Sequence, residues 1–433
     1  MQNAHDPYAA LRHRDYGLLL GSNVLAAAAA EMQFAAAEWE LFERSGLPEY
    51  LGYGGLAQFL PVLLLGLPAG QAVDYFNRKF LLMAAHALMM LASVGLVLVS
   101  LLGWPVEMIL VFMVLAGCSR ALGMPARSSL LPLVVPVEVI GNAVTWTSSG
   151  WQVARVTGSA LGGLIIAITK RPADVYEATA IGLVVCVVAV VFIRPRLTAR
   201  PAEPRSLGNL LAGIRFIWRQ DLLLAAITLD LFAVLLGGAT ALLPIYAKEI
   251  VRVDALAAAL GALLPPDLMT RLDVNAVSFG LLRAAESIGA FVMAMVIAHR
   301  PPMQRPGRAL LWSVAGFGAA IIGFGLSTNF FVSFLMLALT GALDNVSVVI
   351  RGTLMQMLTP DEMRGRVAAV NSIFISSTNQ LGAFESGIAA ALMGPVAAVV
   401  VGGCGTLLVV ASAALYWPRL RRLEPLHTLK DHG

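Results

Sequence analysis

Among the charged side chains inside otherwise apolar stretches, eight are the candidates for chemistry: Glu31, Arg120, Arg155, Asp230, Arg283, Glu286, Asp344 and Glu385. Charge in apolar surroundings is costly, and it persists where it binds, gates or carries protons. The acids expected to carry a proton are Glu31, Asp230, Glu286 and Glu385, because a buried carboxyl group holds a proton more readily than an exposed one. Glu385 ends a polar face at helical spacing that includes Asn379 and Gln380. That face serves helix packing or proton carriage equally well. Arg283 and Glu286 are spaced i to i+3 and can neutralise each other on one helix, or Glu286 can face Arg155 on another. Trp146, Trp151, Phe374 and Phe384 offer flat apolar surface to an amphiphilic ligand, or simply to packing.

Other chemistries lack their residues. The dipeptide Gly-Lys is absent, so no Walker A loop can form, and no Gly-x-Ser-x-Gly elbow is present. Cys118, Cys186 and Cys404 are odd in number, unpaired in spacing and set in apolar runs, as small buried hydrophobes are. The six histidines show no metal-ligand spacing. No cofactor, no metal, no nucleic acid and no enzymatic activity is expected.

The elements that must position these charges are membrane helices. The chain has 433 residues, 58% hydrophobic and 13% charged, with a mean hydropathy of +0.78. A soluble chain would carry about a quarter charged residues, so this one must place its surface in a lipid bilayer. Apolar stretches near the roughly 20 residues needed per crossing fall at 18–41, 51–73, 80–102, 107–128, 141–168 and 175–193. Six more follow at 222–247, 276–298, 309–327, 330–351, 366–393 and 395–417. Residues 11–30 imitate a signal peptide, but the many similar stretches that follow favour a retained first helix. The expected class is an all-α membrane protein of twelve spans, organised as a half at 1–193, a connector at 194–221 and a half at 222–433.

Charge placement orients the chain. The odd connectors 1–2, 5–6 and 7–8 hold six basic residues: Arg44, Lys170, Arg171, Lys248, Arg252 and Arg271. The termini and even connectors hold far more, among them Arg12, Arg14, Arg300, Arg305, Arg308, Arg419 and Arg421. The positive-inside rule then places both termini in the cytoplasm. The connector carries Arg194, Arg196, Arg200, Arg205, Arg215 and Arg219, a solvated basic face suited to anionic headgroups. The segment 251–275 is an external lid or a surface helix.

A gapless repeat links the halves at an offset of 224 residues. Arg127-Ser-Ser-Leu130 matches Arg351-Gly-Thr-Leu354, Pro136, Glu138 and Gly141 match Pro360, Glu362 and Gly365, and Gly158 and Gly163 match Gly382 and Gly387. At the same offset Arg120 stands opposite Asp344, so equivalent positions carry opposite charges. Spans 3, 6, 9 and 12 contain none of the eight charges, so a polar pathway is expected among the remaining spans.

These halves, together with Gly70-x-x-x-Asp74-x-x-x-Arg78-Lys79 after the second span, resemble the major facilitator superfamily. The stretches PARSSLLPLVVP (125–136), LLAGIRFI (210–217) and TPDEMRGRVAAVNS (359–372) are similar to its branch of siderophore exporters and related efflux proteins. The resemblance implies a secondary transporter working by alternating access, with protons as the coupling ion and a monomeric state in the inner membrane. Asp74 would cap the eleventh span and latch the cytoplasmic side. Arg120 and Asp344 would pair at the cytoplasmic gate, with Arg127 and Arg351 beside them. Asn77 stands where the family has Gly, tolerable because Asn accepts a left-handed turn. Ser159 replaces the proline of the antiporter signature in Gly158-Ser-Ala-Leu-Gly162-Gly163. Export of an amphiphilic small molecule is the leading expectation. An importer or lipid flippase, and a non-transporting receptor or scaffold, are the alternatives.

Overall fold

The computed structural model describes residues 6–195, 207–300, 303–421 and 423. The connector arginines Arg196, Arg200 and Arg205 and the side chain of Asp74 lie outside the described residues. Six long helices come first: α1 (Arg14–Ser45), α2 (Pro48–Tyr75), α3 (Arg78–Leu102), α4 (Glu107–Val134), α5 (Ile140–Thr169) and α6 (Pro172–Val191). Next are α7 (Leu207–Arg219), α8 (Asp221–Leu236) and the short α9 (Leu243–Ile245), then α10 (Asp254–Leu263) and α11 (Pro266–Met269). The chain continues with α12 (Val274–Ala298), α13 (Pro306–Leu326), α14 (Phe330–Leu358), α15 (Asp361–Met393), α16 (Pro395–Tyr416) and α17 (Pro418–Arg421). Ten segments are long and apolar enough to cross a membrane among the described residues. The long helices α2 and α15 complete the twelve expected spans.

Local chemistry sets the helix ends. Asn77, Asp273 and Asn329 are N-caps whose side chains accept from the first free amides of α3, α12 and α14. Proline stands in the first turn of α6, α13 and α16, where its missing N–H costs nothing. Gly103 ends α3 in the left-handed region at φ +65°. Asn77 adopts φ −64° in the extended region and caps α3 rather than making a left-handed turn.

The seventh span is broken. A single helix over 222–247 was expected, yet α8 stops at Leu236, a 3-10 turn covers Ala239–Leu242, and a π-helical turn covers Tyr246–Ile250. Gly237 and Gly238 weaken the helix, and Pro244 removes a backbone donor. Gly238 rests against the carbonyl of Gly382, leaving no room for a Cβ, so the break lets α15 approach closely. Helix irregularities of this kind cluster at functional sites.

Two compact units emerge. The first comprises Met1–Leu41 and Ala57–Arg205; the second comprises Phe42–Leu56 and Ser206–Gly433. The second therefore includes the end of α1 and the start of α2. In the first unit, Tyr16, Leu19, Leu82, Leu130 and Val134 form a buried cluster, and the Tyr16 hydroxyl donates to the Ala143 carbonyl at 2.7 Å. In the second, Leu223, Leu229, Leu310, Val314, Ile350 and Leu354 do the same. Exposed apolar side chains line α3 (Leu91, Leu98, Leu102) and α6 (Ile181, Val184, Val188), as lipid-facing surfaces require.

The remaining segments take defined forms. The segment 251–275 holds α10 and α11, and the Arg252 amide donates to the Thr328 carbonyl at 2.7 Å. Within the connector, α7 packs Ile214, Phe216 and Ile217 against Ile227, Val367 and Val370, so its arginines ride on an apolar anchor.

Candidate functional site

The first unit gathers positive charge on three helices. Arg120 stands at the middle of α4, and its side chain is exposed. A cation facing lipid at a helix centre costs about 2.5–3.5 kcal/mol even on lenient scales, so this face meets water. Arg120 lies within electrostatic range of Glu31 on α1, Arg155 on α5 and Arg127, two turns along α4. The Arg127 guanidinium lies over the Trp151 ring, 5.6 Å from its centroid. The Arg127 Nε is buried with no hydrogen-bond partner, as are Asn23 Oδ1 and Gln152 Oε1.

Glycines bring these groups together. Gly158 lies against the carbonyl of Ala28 and the Cβ of Glu31, and Gly162 lies against Met32. A side chain at either position would push α5 off α1. Gly150 packs on Val24, so the two helices stay in contact over three turns. Trp151, Arg155, Gly158 and Gly162 share one face of α5. The repeat extends to packing: Gly382 on α15 meets the backbone of Val234 and Leu235 on α8 as Gly158 meets α1.

The second unit pairs its charges. Asp230 on α8 and Arg351 on α14 form a buried ion pair, with side-chain exposures of 10% and 5%. The Ser347 hydroxyl donates to the second carboxylate oxygen of Asp230 at 3.0 Å. Asp344, Ser347 and Arg351 follow one another on one face of α14. A cavity of about 10 Å³, room for a single water, is lined by Asp230, Val234, Phe317, Asp344 and Ser347. Arg127 and Arg351 are equivalent in the repeat; the first lies over Trp151 and the second is paired with Asp230.

Elsewhere in this unit, backbones approach closely around the eighth span. Gly341 lies on the carbonyl of Glu286 and Gly289 on that of Ala338, with no space for a Cβ at either. Arg283 and Glu286 are both half-buried there. Glu385 is half-buried and accepts from the Ser386 hydroxyl at 3.4 Å, while Asn379 is exposed. Phe384 packs near Tyr53, with centroids 6.3 Å apart, and Phe374 joins the cluster under α7.

The motif after the second span has a structural role in part. Gly70 is buried near the end of α2, and Arg78 opens α3. The Lys79 ammonium donates to the carbonyls of Val191 and Ile193 at 2.6 and 2.9 Å, capping the end of α6. A cation there satisfies orphan carbonyls and complements the helix dipole. Trp146 is likewise occupied: its Nε1 donates to the Pro7 carbonyl at 2.9 Å, tying the N-terminal segment to α5.

Sequence reasoning missed three polar contacts, two of them buried. Glu38 and Glu40 lie near the end of α1, both 3% exposed, and the Tyr176 hydroxyl donates to Glu40 at 2.9 Å. The Ser93 hydroxyl donates to Gln33 at 2.6 Å. In the second unit, Lys248 on the π-turn pairs with Glu43 at 2.9 Å. Glu38 and Glu40 stand inside the first apolar stretch and were legible as charges there; their neighbours were not.

Twelve membrane helices in two units related by an internal repeat, with ionic groups held on a few internal faces, define a major facilitator fold. Solved structures agree. The chain superposes on a peptide transporter POT with a TM-score of 0.70 at 14% identity, covering 98% of this chain and 100% of that one. A bacterial homologue of the human lysosomal transporter Spinster gives a TM-score of 0.67 at 15% identity over 95% and 97%. The D-xylose-proton symporter gives 0.66 at 12% over 93% and 97%.

The family model described as transmembrane secretion effector matches residues 5–264 and 251–431, and the chain belongs to that family. It is 29% identical to the enterobactin exporter EntS of Citrobacter koseri over 373 residues, 86% of this chain and 83% of that one. The Escherichia coli O1:K1 and Shigella boydii exporters are 28% identical over the same extent. The protein is a multi-pass membrane transporter.

Proposed function

We propose that this chain is a proton-coupled exporter of amphiphilic small molecules, of siderophore, drug or related metabolite type, in the bacterial inner membrane. The observation that carries this reading is the exposed charged face of α1, α4 and α5 beside Trp151, a surface with both polar and flat apolar contacts. Its likeness to enterobactin exporters supports the direction of transport. The half-buried Glu31, Glu286 and Glu385 and the ion-paired Asp230 are the acids available for coupling. The distribution of basic residues supports cytoplasmic termini. Gly70, Asp74 and Arg78 supply the latch of this reading, and the opposite charges of Arg120 and Asp344 supply its cytoplasmic gate. The working unit is the monomer.

The test is flux. The purified chain is reconstituted in proteoliposomes with an imposed pH gradient and a panel of fluorescent amphiphiles. Expected is uptake into inside-acidic vesicles that a protonophore abolishes. Gradient-independent flux would remove proton coupling, and the absence of flux for every cargo would remove the reading. In cells, greater drug or metal sensitivity of a deletion strain separates export from import. A charge swap at Arg120 and Asp344 that rescues neither single neutralisation would remove the gate.

A further inference from the structure

We propose that the face formed by α1, α4 and α5 is an anion-binding site, and that the cargo of this transporter is an amphiphilic organic anion. The inference rests on the export reading and narrows it to a chemical class.

Arg120 lies within electrostatic range of both Arg127 and Arg155, with Glu31 the acid beside it. Gathering like charges in a membrane domain is unfavourable, and one carboxylate leaves two positive charges over. The second unit solves the same problem differently, by giving Arg351 a buried partner in Asp230. In the first unit the surplus is maintained rather than cancelled. The Arg127 Nε is buried without a hydrogen-bond partner, so donor capacity remains unspent beside the charge. Trp151, under the Arg127 guanidinium, is 38% exposed and offers apolar surface next to it.

A carboxylate, sulfonate or phenolate attached to a flat apolar body satisfies both halves of this surface. Its anion takes the arginines, which bind such groups through planar, charge-assisted hydrogen bonds, and its body lies against the tryptophan. A cationic amphiphile would meet repulsion from the same arginines. Glu31 sets the strength, because it competes with the ligand for Arg120. Gly158, which holds Glu31 against α5, is what keeps that competitor in place.

The experiment compares two probes of matched shape, naphthalenesulfonate and its uncharged sulfonamide, by calorimetric titration into the full chain in detergent. The sulfonate is expected to bind about tenfold tighter or better. R127Q and R155Q each weaken the sulfonate by about tenfold and leave the sulfonamide unchanged. E31Q tightens the sulfonate, and R308Q, at an exposed arginine on α13, changes neither probe. The opposite sign at Glu31 guards against variants that merely misfold. Equal binding of the two probes, arginine variants that weaken both alike, or an E31Q that weakens the sulfonate would each overturn the proposal. Selective sulfonate binding without gradient-driven flux would remove the export reading and keep the site. Flux with equal binding of both probes would do the reverse.

Discussion

The two units begin from one repeat and treat charge in opposite ways. In the first, Arg120 is exposed at mid-helix and faces Arg127 and Arg155 with one nearby acid, Glu31. In the second, the equivalent stretch of α14 carries Asp344, and its arginine is locked to Asp230 with Ser347 completing the carboxylate. An unpaired charge on a wet face costs little to keep and can be offered to a ligand. A paired, dehydrated charge cannot be altered without leaving its partner stranded. The proposed binding face belongs to the first unit, while the second keeps its charge in a buried pair beside a cavity of about 10 Å³.

Breaking the pair should have the largest effect. R351M is expected to destabilise the protein by about 3–5 kcal/mol because Asp230 would remain buried and uncompensated. D230N combined with R351M should recover most of that loss, measured as melting of the detergent-purified protein. If the double variant is as unstable as the single, the second unit is not held by this pair. In the first unit R120Q is expected to cost less than R351M, since it strands no ion-paired buried carboxylate. A large loss of stability there would erase the contrast between the units.

Packing comes next in size. G158L is expected to cost about 1–3 kcal/mol, because the new side chain meets the Ala28 carbonyl and the Glu31 stem. It should also reduce flux of any cargo by displacing α5 from α1. Its repeat partner offers a comparison: G382L meets α8 at the break in the seventh span and should behave alike. K79Q removes the cap on α6 and should cost about 1 kcal/mol. The smallest effect is expected at Glu43 and Lys248, whose side chains are 45% and 22% exposed; E43Q should change stability by about 0.2–1 kcal/mol. Melting curves of the variants in one detergent rank all of these.

Much of the fold was legible in the residues. A mean hydropathy of +0.78 requires lipid, and the apolar stretches match the helices to within a few residues at most ends. The offset of 224 foretold the like packing of Gly158 on α1 and Gly382 on α8, since a small residue repeated at one helix position marks a repeated close approach. Trp151 was legible as an aromatic near the charges. That Arg127 would lie over it was not, because a contact between α4 and α5 depends on how those helices are turned.

The broken seventh span shows the same division. Gly237, Gly238 and Pro244 announce weakness in the sequence, yet hydropathy runs through them unchanged, so the stretch reads as one helix. Only the approach of Gly382 shows what the weakness is for. Residues 42–56 carry no boundary signal at all, and it is their contacts that join them to the second unit. Lys79 has the composition of a motif lysine and, in three dimensions, the role of a helix cap.

By itself the sequence determined the class of solvent, the number of crossings, the internal repeat and which helices bear charge. Those properties follow from local composition and spacing, which lipid and helix geometry read one segment at a time. Tertiary structure alone decided that Asp230 would be paired and Arg120 left open. Pairing depends on which faces meet after the helices pack, and that is a property of neighbours far apart in the chain.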